Sequence, residues 1–528
     1  MKKTDKKIIP IILASVLCAV AVTGCGKKEE TSEKLEFNGY PIQNSTTLTY
    51  WMELNGNVAE TSEDEGKTRF AEELKNETGV DIKWIHPPLG QASDQLNILL
   101  TSDDLPDIIE YGWASLPGGG AKALEDNFII NLGDKMKENA PNLAKYLSEN
   151  PDIDKLIKTD NNEYYAFPCI AEDKKMLVVQ GPIVRKDWLD ELGLSMPETI
   201  DEWHNVLTQF KEKKGAAAPL AYHDNMLRNG DFIGAYGIKM DFFIENGKVV
   251  YGPYDRRYKD FLTTFAQWYK EGLIDKNIAN LDSKSLDAKI LNGETGATFS
   301  FAGSGLGKWQ QALNAKNSGA ELAPAPHITL NKGETAQFGQ KNFMATTYGA
   351  AITSSCKNVD LAMRFLDYGY SEKGRMLYNF GIEGESYNMV DNYPTYTDVI
   401  MKNPEGLSMG AAMGKYIRGN QTGPFIQAKE YLEQYYSLPQ QKDALEVWSK
   451  SEAEKTNVPY INFTANESEE IASILNNVKT YVDEKTLRYI MGLENLDGFD
   501  GYIADIKNFG MDKVLDIYQA AYERYLAR

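Results

Sequence analysis

Two features of the sequence predict an α/β protein in two lobes: a strand–helix rhythm that appears twice, and excess length for one core. With 528 residues, the chain exceeds the ~250–300 residues at which a single hydrophobic core stops growing. Hydrophobic residues make up 42% of it, enough to bury large cores.

The rhythm starts with a β-rich run at 47–52, then an amphipathic helix at 67–78 stopped by Gly79 and a strand at 80–85. A helix at 92–101 and a strand at 107–111 complete a β-α-β-α-β series, the signature of a parallel sheet wound with helices. It recurs as a strand at 176–184, helices at 185–192, 199–213, 257–271 and 284–291, and a strand at 296–301. Thr199 with Glu202 three residues on is a capping box. Helices at 359–369, 372–380 and 511–526 follow. No internal repeat of fixed period is visible.

Ahead of these elements, Lys2, Lys3, Lys6 and Lys7 form a basic start, and 8–22 is apolar up to Gly24-Cys25. The apolar run is too short for a comfortable membrane span of roughly 20 residues, so it reads as a secretory leader over 1–24. The cysteine after Gly24 resembles a lipobox, in which cleavage precedes the cysteine and its thiol carries lipid; the alternative is an ordinary signal anchor with an incidental cysteine. The expected mature chain starts at Cys25, with 25–46 a polar tether.

The formal charge is -20, and the leader removes four lysines and one aspartate, leaving about -23. Such a surface repels phosphate backbones, which argues against nucleic-acid binding. Of four cysteines, Cys18 leaves with the leader and Cys25 takes lipid. Cys169 and Cys356 read as buried free thiols rather than as a disulfide framework. The four histidines are scattered without zinc spacing, so neither metal nor cofactor is expected. The run 303–308 (GSGLGK) lacks P-loop spacing and reads as a strand-to-helix turn. Asp160-Asn161-Asn162 and 497–501 lack the remaining ligands of a calcium loop.

Several stretches together resemble the family 1 extracellular solute-binding proteins of ATP-driven importers, in particular the Gram-positive lipoproteins of the aldouronate-type subgroup. They are Leu105-Pro106-Asp107-Ile108-Ile109, Tyr164-Tyr165-Ala166-Phe167-Pro168, Arg185-Lys186-Asp187-Trp188 with Pro197, 361–368 running into Gly381-Ile382-Glu383-Gly384, and the closing helix from Gly510. Their order and span carry the resemblance; most build the fold rather than touch ligand. The resemblance implies a type II periplasmic-binding-protein fold with a ligand cleft between two hinged lobes. It places lobe 1 at 47–165 and 346–435, and lobe 2 at 166–345 and 436–528. It implies delivery of an oligosaccharide to permease subunits without catalysis; with the lipobox, that places a lipid-anchored protein on the outer face of the cell membrane, and monomer is the default expectation. A lipid-anchored glycoside hydrolase, or a receptor for a non-sugar solute, is the alternative.

Sugars need aromatic platforms and planar hydrogen-bonding groups, and strand ends facing the cleft supply the candidates. Trp51, Glu53 and Asn55 follow the first strand; Tyr111 and Trp113 follow the third. Arg185, Tyr222, His223, Asp224, Phe301, Ser304 and Trp309 are expected from lobe 2. Tyr348, Glu385, Ser386 and Tyr387 are expected from the returning lobe 1. Arg185 suggests pairing with the carboxylate of a uronic acid, as in xylan fragments.

Overall fold

The computed structural model describes residues 37–102, 104–223, 225–418 and 422–528. The leader, Cys25, Asp103 and Asp224 lie outside the described residues. The strands are β1 (Thr47–Trp51), β2 (Asp81–Ile85), β3 (Ile108–Gly112), β4 (Phe167–Ala171), β5 (Gln180–Arg185), β6 (Phe242–Glu245), β7 (Lys248–Tyr251), β8 (Ala297–Phe301), β9 (Leu322–Pro324), β10 (Ala345–Ile352), β11 (Tyr387–Val390), β12 (Tyr393–Tyr396) and β13 (Ile426–Gln427).

Two sheets organise the body. The first has six strands in the order β13-β4-β10-β3-β1-β2. The expected β-α-β-α-β series is its parallel half, β2 and β3 flanking β1. Helix Arg69–Thr78 crosses between β1 and β2, capped by the Thr68 hydroxyl and ended by Gly79 at φ +72, a left-handed turn that glycine adopts freely. β10 then runs antiparallel to β3 and β4. The second sheet, β8-β5-β9, is antiparallel at both pairings, with Leu220 adding a parallel bridge to Ala297.

The chain passes between the sheets at 172–179, 325–344 and 428–438. Gln340 ties the first two connections together, its Oε1 accepting from Val179 N (2.7 Å) and Gln180 N (3.1 Å). β4 belongs to the six-stranded sheet, so the first sheet reaches Ala171, six residues past the lobe end expected at 165. This is the two-lobed type II architecture.

The second sheet carries the larger helical shell. Helix Ile200–Lys214 starts at the expected capping box: the Thr199 hydroxyl accepts from Glu202 N, and Glu202 accepts from Thr199 N. Helix Arg257–Lys270 buries Phe261, Leu262, Phe265 and Trp268. The 26-residue helix Ala465–Ile490 lays Ile471, Leu475, Val478 and Val482 into the same core, the i, i+4, i+7 stripe of an amphipathic helix. Helix Pro439–Trp448 caps the strands, Trp448 Nε1 donating to the carbonyls of Ala325 (3.1 Å) and Pro182 (3.3 Å). Cys169 and Cys356 are both buried and free. No helix among the described residues is long and apolar enough to cross a membrane.

Candidate functional site

The site is built where β8 runs out. Phe301 ends that strand opposite Gln180, and 43% of it remains exposed. The next six residues, Ala302–Gly307, form a π-helical turn before helix Lys308–Ala315. Such wide turns recur at functional sites. Three glycines line this turn: a Cβ on Gly305 or Gly307 would fall 2.2 Å from Ser300 Oγ or Gln441 Nε2, and one on Gly303 would press on the ring of Tyr435 at 3.2 Å.

Phe301 and Ser304 form the common wall of two cavities. One, of 310 Å³, is lined by Gln180, His223, Asp287, Ser300, Lys308 and Trp309 among others. The other, of 300 Å³, is lined by Val179, Gly303, Gln427, Tyr431, Tyr435 and Tyr436. Gln427 comes from β13 of the first sheet and the rest from the second sheet and its connections, so the groove spans both lobes. Each cavity falls in the size class of small-ligand sites.

Asp287 fixes the polar side. Its carboxylate accepts from Trp309 Nε1 and Lys308 Nζ, both at 2.6 Å. Burial opposes its charge, but Lys308 and Trp309 hold the carboxyl below its usual range. Tyr431 and Tyr435 stack 5.9 Å apart at 7° on one helix, and Tyr436 lies 5.5 Å from Tyr435. Tyr431 and Tyr436 are themselves buried, so Phe301 and the half-buried Tyr435 supply the aromatic faces; beside hydroxyl, amide and carboxylate groups these match the two surfaces of a sugar ring.

The same end of the first sheet presents Tyr111 and Tyr348, rings 6.3 Å apart, at the register where Tyr348 opposes Gly112. Glu53 is half-buried there and accepts from Gly90 N at 2.7 Å. Asn55 is taken up in capping Gly56–Ala59.

The structure brings His223, Phe301, Ser304 and Trp309 together. Trp309 is buried, so it offers little ring face and instead fixes Asp287. Other expected residues are placed elsewhere. Trp51 and Trp113 are core, and Trp113 spends its indole N–H on the Gly349 carbonyl (3.0 Å). Tyr222 is buried against Phe265. Glu385 pairs with Arg69 on the surface (2.8 Å). The Ser386 hydroxyl bonds the Phe380 carbonyl (2.6 Å), and Tyr387 packs on Phe380. Arg185 lies at the far end of β5, five residues or roughly 16 Å from Gln180. Asp187 holds it at 2.8 and 2.6 Å, over the ring of Trp188. β5 leads away from the groove, so a strand's end is not its cleft end in an antiparallel sheet.

Sequence reasoning missed Gln180, Asp287, Lys308, Gln427 and the three tyrosines. The spacing Tyr431-x-x-x-Tyr435-Tyr436 was the available signal, an aromatic pair one helical turn apart.

Larger or comparable concavities lie off the cleft. One of 410 Å³ is lined by the second lobe and its connecting loop alone. One of 760 Å³ involves Asn127, Asp160 and Arg524, near the amino-terminal end of β3, where Ile129 bridges Thr353. Neither meets the carboxyl-end rule for parallel strands.

The model of the bacterial extracellular solute-binding protein family matches residues 59–376. The chain belongs to that family. This solute-binding protein is 26% identical to the fructooligosaccharide ABC transporter substrate-binding protein FusA of Streptococcus pneumoniae, over 99% of each chain. It is 24% identical to the polygalacturonan/rhamnogalacturonan-binding protein YtcQ of Bacillus subtilis, covering 86% of this chain and 87% of that protein. The structure of FusA in complex with kestose superposes with a TM-score of 0.72 over 91% of this chain and all of that one, at 24% identity. FusA is thus the substrate-binding protein of a fructooligosaccharide ABC transporter, and YtcQ a binding protein for polygalacturonan and rhamnogalacturonan.

Proposed function

We propose that this protein is a lipid-anchored receptor on the outer face of the membrane. It captures an oligosaccharide in the groove around Phe301 and passes it to the permease subunits of an ATP-driven importer. The observation that carries this reading is Phe301 itself: a half-exposed aromatic ring shared by two cavities, one with a polar lining and the other lined by tyrosines. The relatives' sugar ligands support it. Closure of the lobes about the three connections would enclose the sugar, and the receptor acts as a monomer.

A thermal-shift screen against oligosaccharides tests it directly. A ligand at 100 times its Kd adds about 2.7 kcal/mol of stability. No shift with any saccharide, or new reducing ends released on incubation, contradicts it. Mass spectrometry of membrane-extracted protein tests the anchor, with a diacylglyceryl adduct expected on Cys25.

The expectation of a uronic-acid ligand rested on Arg185 and on the resemblance to the aldouronate-type subgroup. Arg185 is committed to Asp187 away from the groove, so the part of that expectation that rested on Arg185 falls away.

A further inference from the structure

We propose that the groove selects uncharged saccharides and rejects uronic ones, an inference that rests on the saccharide reading above. Among the described residues lining the two cavities, Lys308 is the one lysine or arginine. Its ammonium is matched by Asp287 at 2.6 Å, a carboxylate that also holds the Trp309 indole. A ligand carboxylate that took another N–H of this ammonium would gain a cation already neutralised, with Asp287 beside it as a repelling charge.

The neighbouring wall follows the same pattern. Arg375 lies between two carboxylates, Glu172 at 2.7 Å and Glu430 at 2.8 Å. Glu172 N bonds the carbonyl of Gln427, which lines the groove, and Glu430 directly precedes Tyr431. One guanidinium shared by two carboxylates leaves this wall net negative. Recognition of a carboxylate calls for an arginine with both donors of one edge free, and Arg375 has its charge already answered twice. Apart from the His223 imidazole and a few aliphatic side chains, the rest of the lining is amide, hydroxyl and aromatic, including Gln180, Gln427, Ser304, Phe301 and Tyr435. These groups pair with hydroxyls and stack on ring faces without needing ligand charge. The overall charge of -20 adds a long-range field against polyanions.

Isothermal calorimetry on the mature protein at low ionic strength decides the matter. The probes are neutral fructo-, xylo-, arabino- and galacto-oligosaccharides beside oligogalacturonates and aldouronic acids of matched length. The expected result is binding by at least one neutral series, with every acidic oligomer at least tenfold weaker than its neutral counterpart. An acidic oligomer that binds as tightly as its neutral counterpart overturns the charge selection and leaves the saccharide reading standing. Failure of every probe to bind overturns both. Asp287→Asn provides a second readout, since it frees the Lys308 ammonium. The ratio of acidic to neutral affinity should then rise about fivefold, the worth of one exposed ion pair; an unchanged ratio counts against the assignment.

Discussion

Arg528 donates from Nε to Asp160 Oδ1 at 2.9 Å, joining positions 368 apart in sequence. Arg524 Nε reaches the other oxygen at 3.1 Å. The helix carrying both arginines is anchored in the second lobe's core through Met511, Val514 and Ile517. Asp160 lies in the turn that leads into β4 of the first sheet, so the contact clasps the two halves together. In the sequence, Asp160-Asn161-Asn162 lacks the remaining ligands of a calcium loop, and in the structure the Asp160 carboxylate is the counter-ion of two arginines.

Asp160→Asn should therefore destabilise the protein. The Arg528 side chain is 1% exposed, and a buried cation stripped of its partner costs about 3–5 kcal/mol, reduced here because Asp160 is itself partly exposed. A drop of about 2 kcal/mol in denaturant unfolding is expected. An unchanged midpoint would show that the clasp carries no stability.

Gly181 makes a second close approach. A Cβ there would fall 2.4 Å from the indole of Trp448, whose N–H is already committed to two carbonyls. Gly181→Ala should cost about 1–3 kcal/mol by overpacking, read as a lowered Tm. It should also loosen helix Pro439–Trp448, visible as faster amide exchange there.

Glu65 provides the clearest pH dependence. It is buried, neither carboxylate oxygen has a hydrogen-bond partner among the described residues, and burial pushes its carboxyl up to about 7, with Arg418 opposing and Glu110 and Asp64 adding to the rise. Between its ordinary value near 4.5 and about 7, the folded protein holds a proton that the unfolded chain has released. Its contribution is thus fully present below the ordinary value and is lost as pH rises through about 7. Glu65→Gln removes that loss, so the variant should gain on the parent across this window, by up to about 3 kcal/mol. Urea melts at pH 4.5, 6 and 8 check it. A constant difference between the two proteins would refute the assignment.

Arg185→Leu separates a structural arginine from a ligand-binding one. The change leaves Asp187 without its bidentate partner and should lower stability by about 1–3 kcal/mol. Saccharide affinity should stay within about twofold, because roughly 16 Å separates Arg185 from the groove. A tenfold loss of affinity with an unaltered Tm would return it to the site.

The first lobe was the more legible of the two. Local signals wrote it: the stop at Gly79, the alternating runs of β1 to β3, and short parallel crossovers. The second lobe follows non-local pairings. Nothing in Gln180–Arg185 announces that β8 and β9 both run against it, so a rule suited to parallel strands put Arg185 at the cleft. The same ambiguity hid the groove's polar half. Asp287 lies on an ordinary amphipathic helix, Ser283–Leu291, and gains its meaning from Lys308 and Trp309 some twenty residues later. Phe301 and Ser304 were visible because a glycine-rich turn after a strand is a local signal. Aromatic residues misled as often as they guided: Trp51, Trp113 and Tyr222 satisfy strand-end position yet fill core, since large apolar rings have more to gain from burial than from exposure.

The most direct test is calorimetry on Phe301→Ala with the tightest oligosaccharide found by the thermal-shift screen. Because Phe301 is 43% exposed, its truncation should leave the unliganded Tm within a few degrees of the parent. Loss of the stacking face should weaken binding by about tenfold or more, equivalent to about 1.4 kcal/mol. Undiminished affinity in a folded variant would contradict the assignment of this groove as the saccharide site.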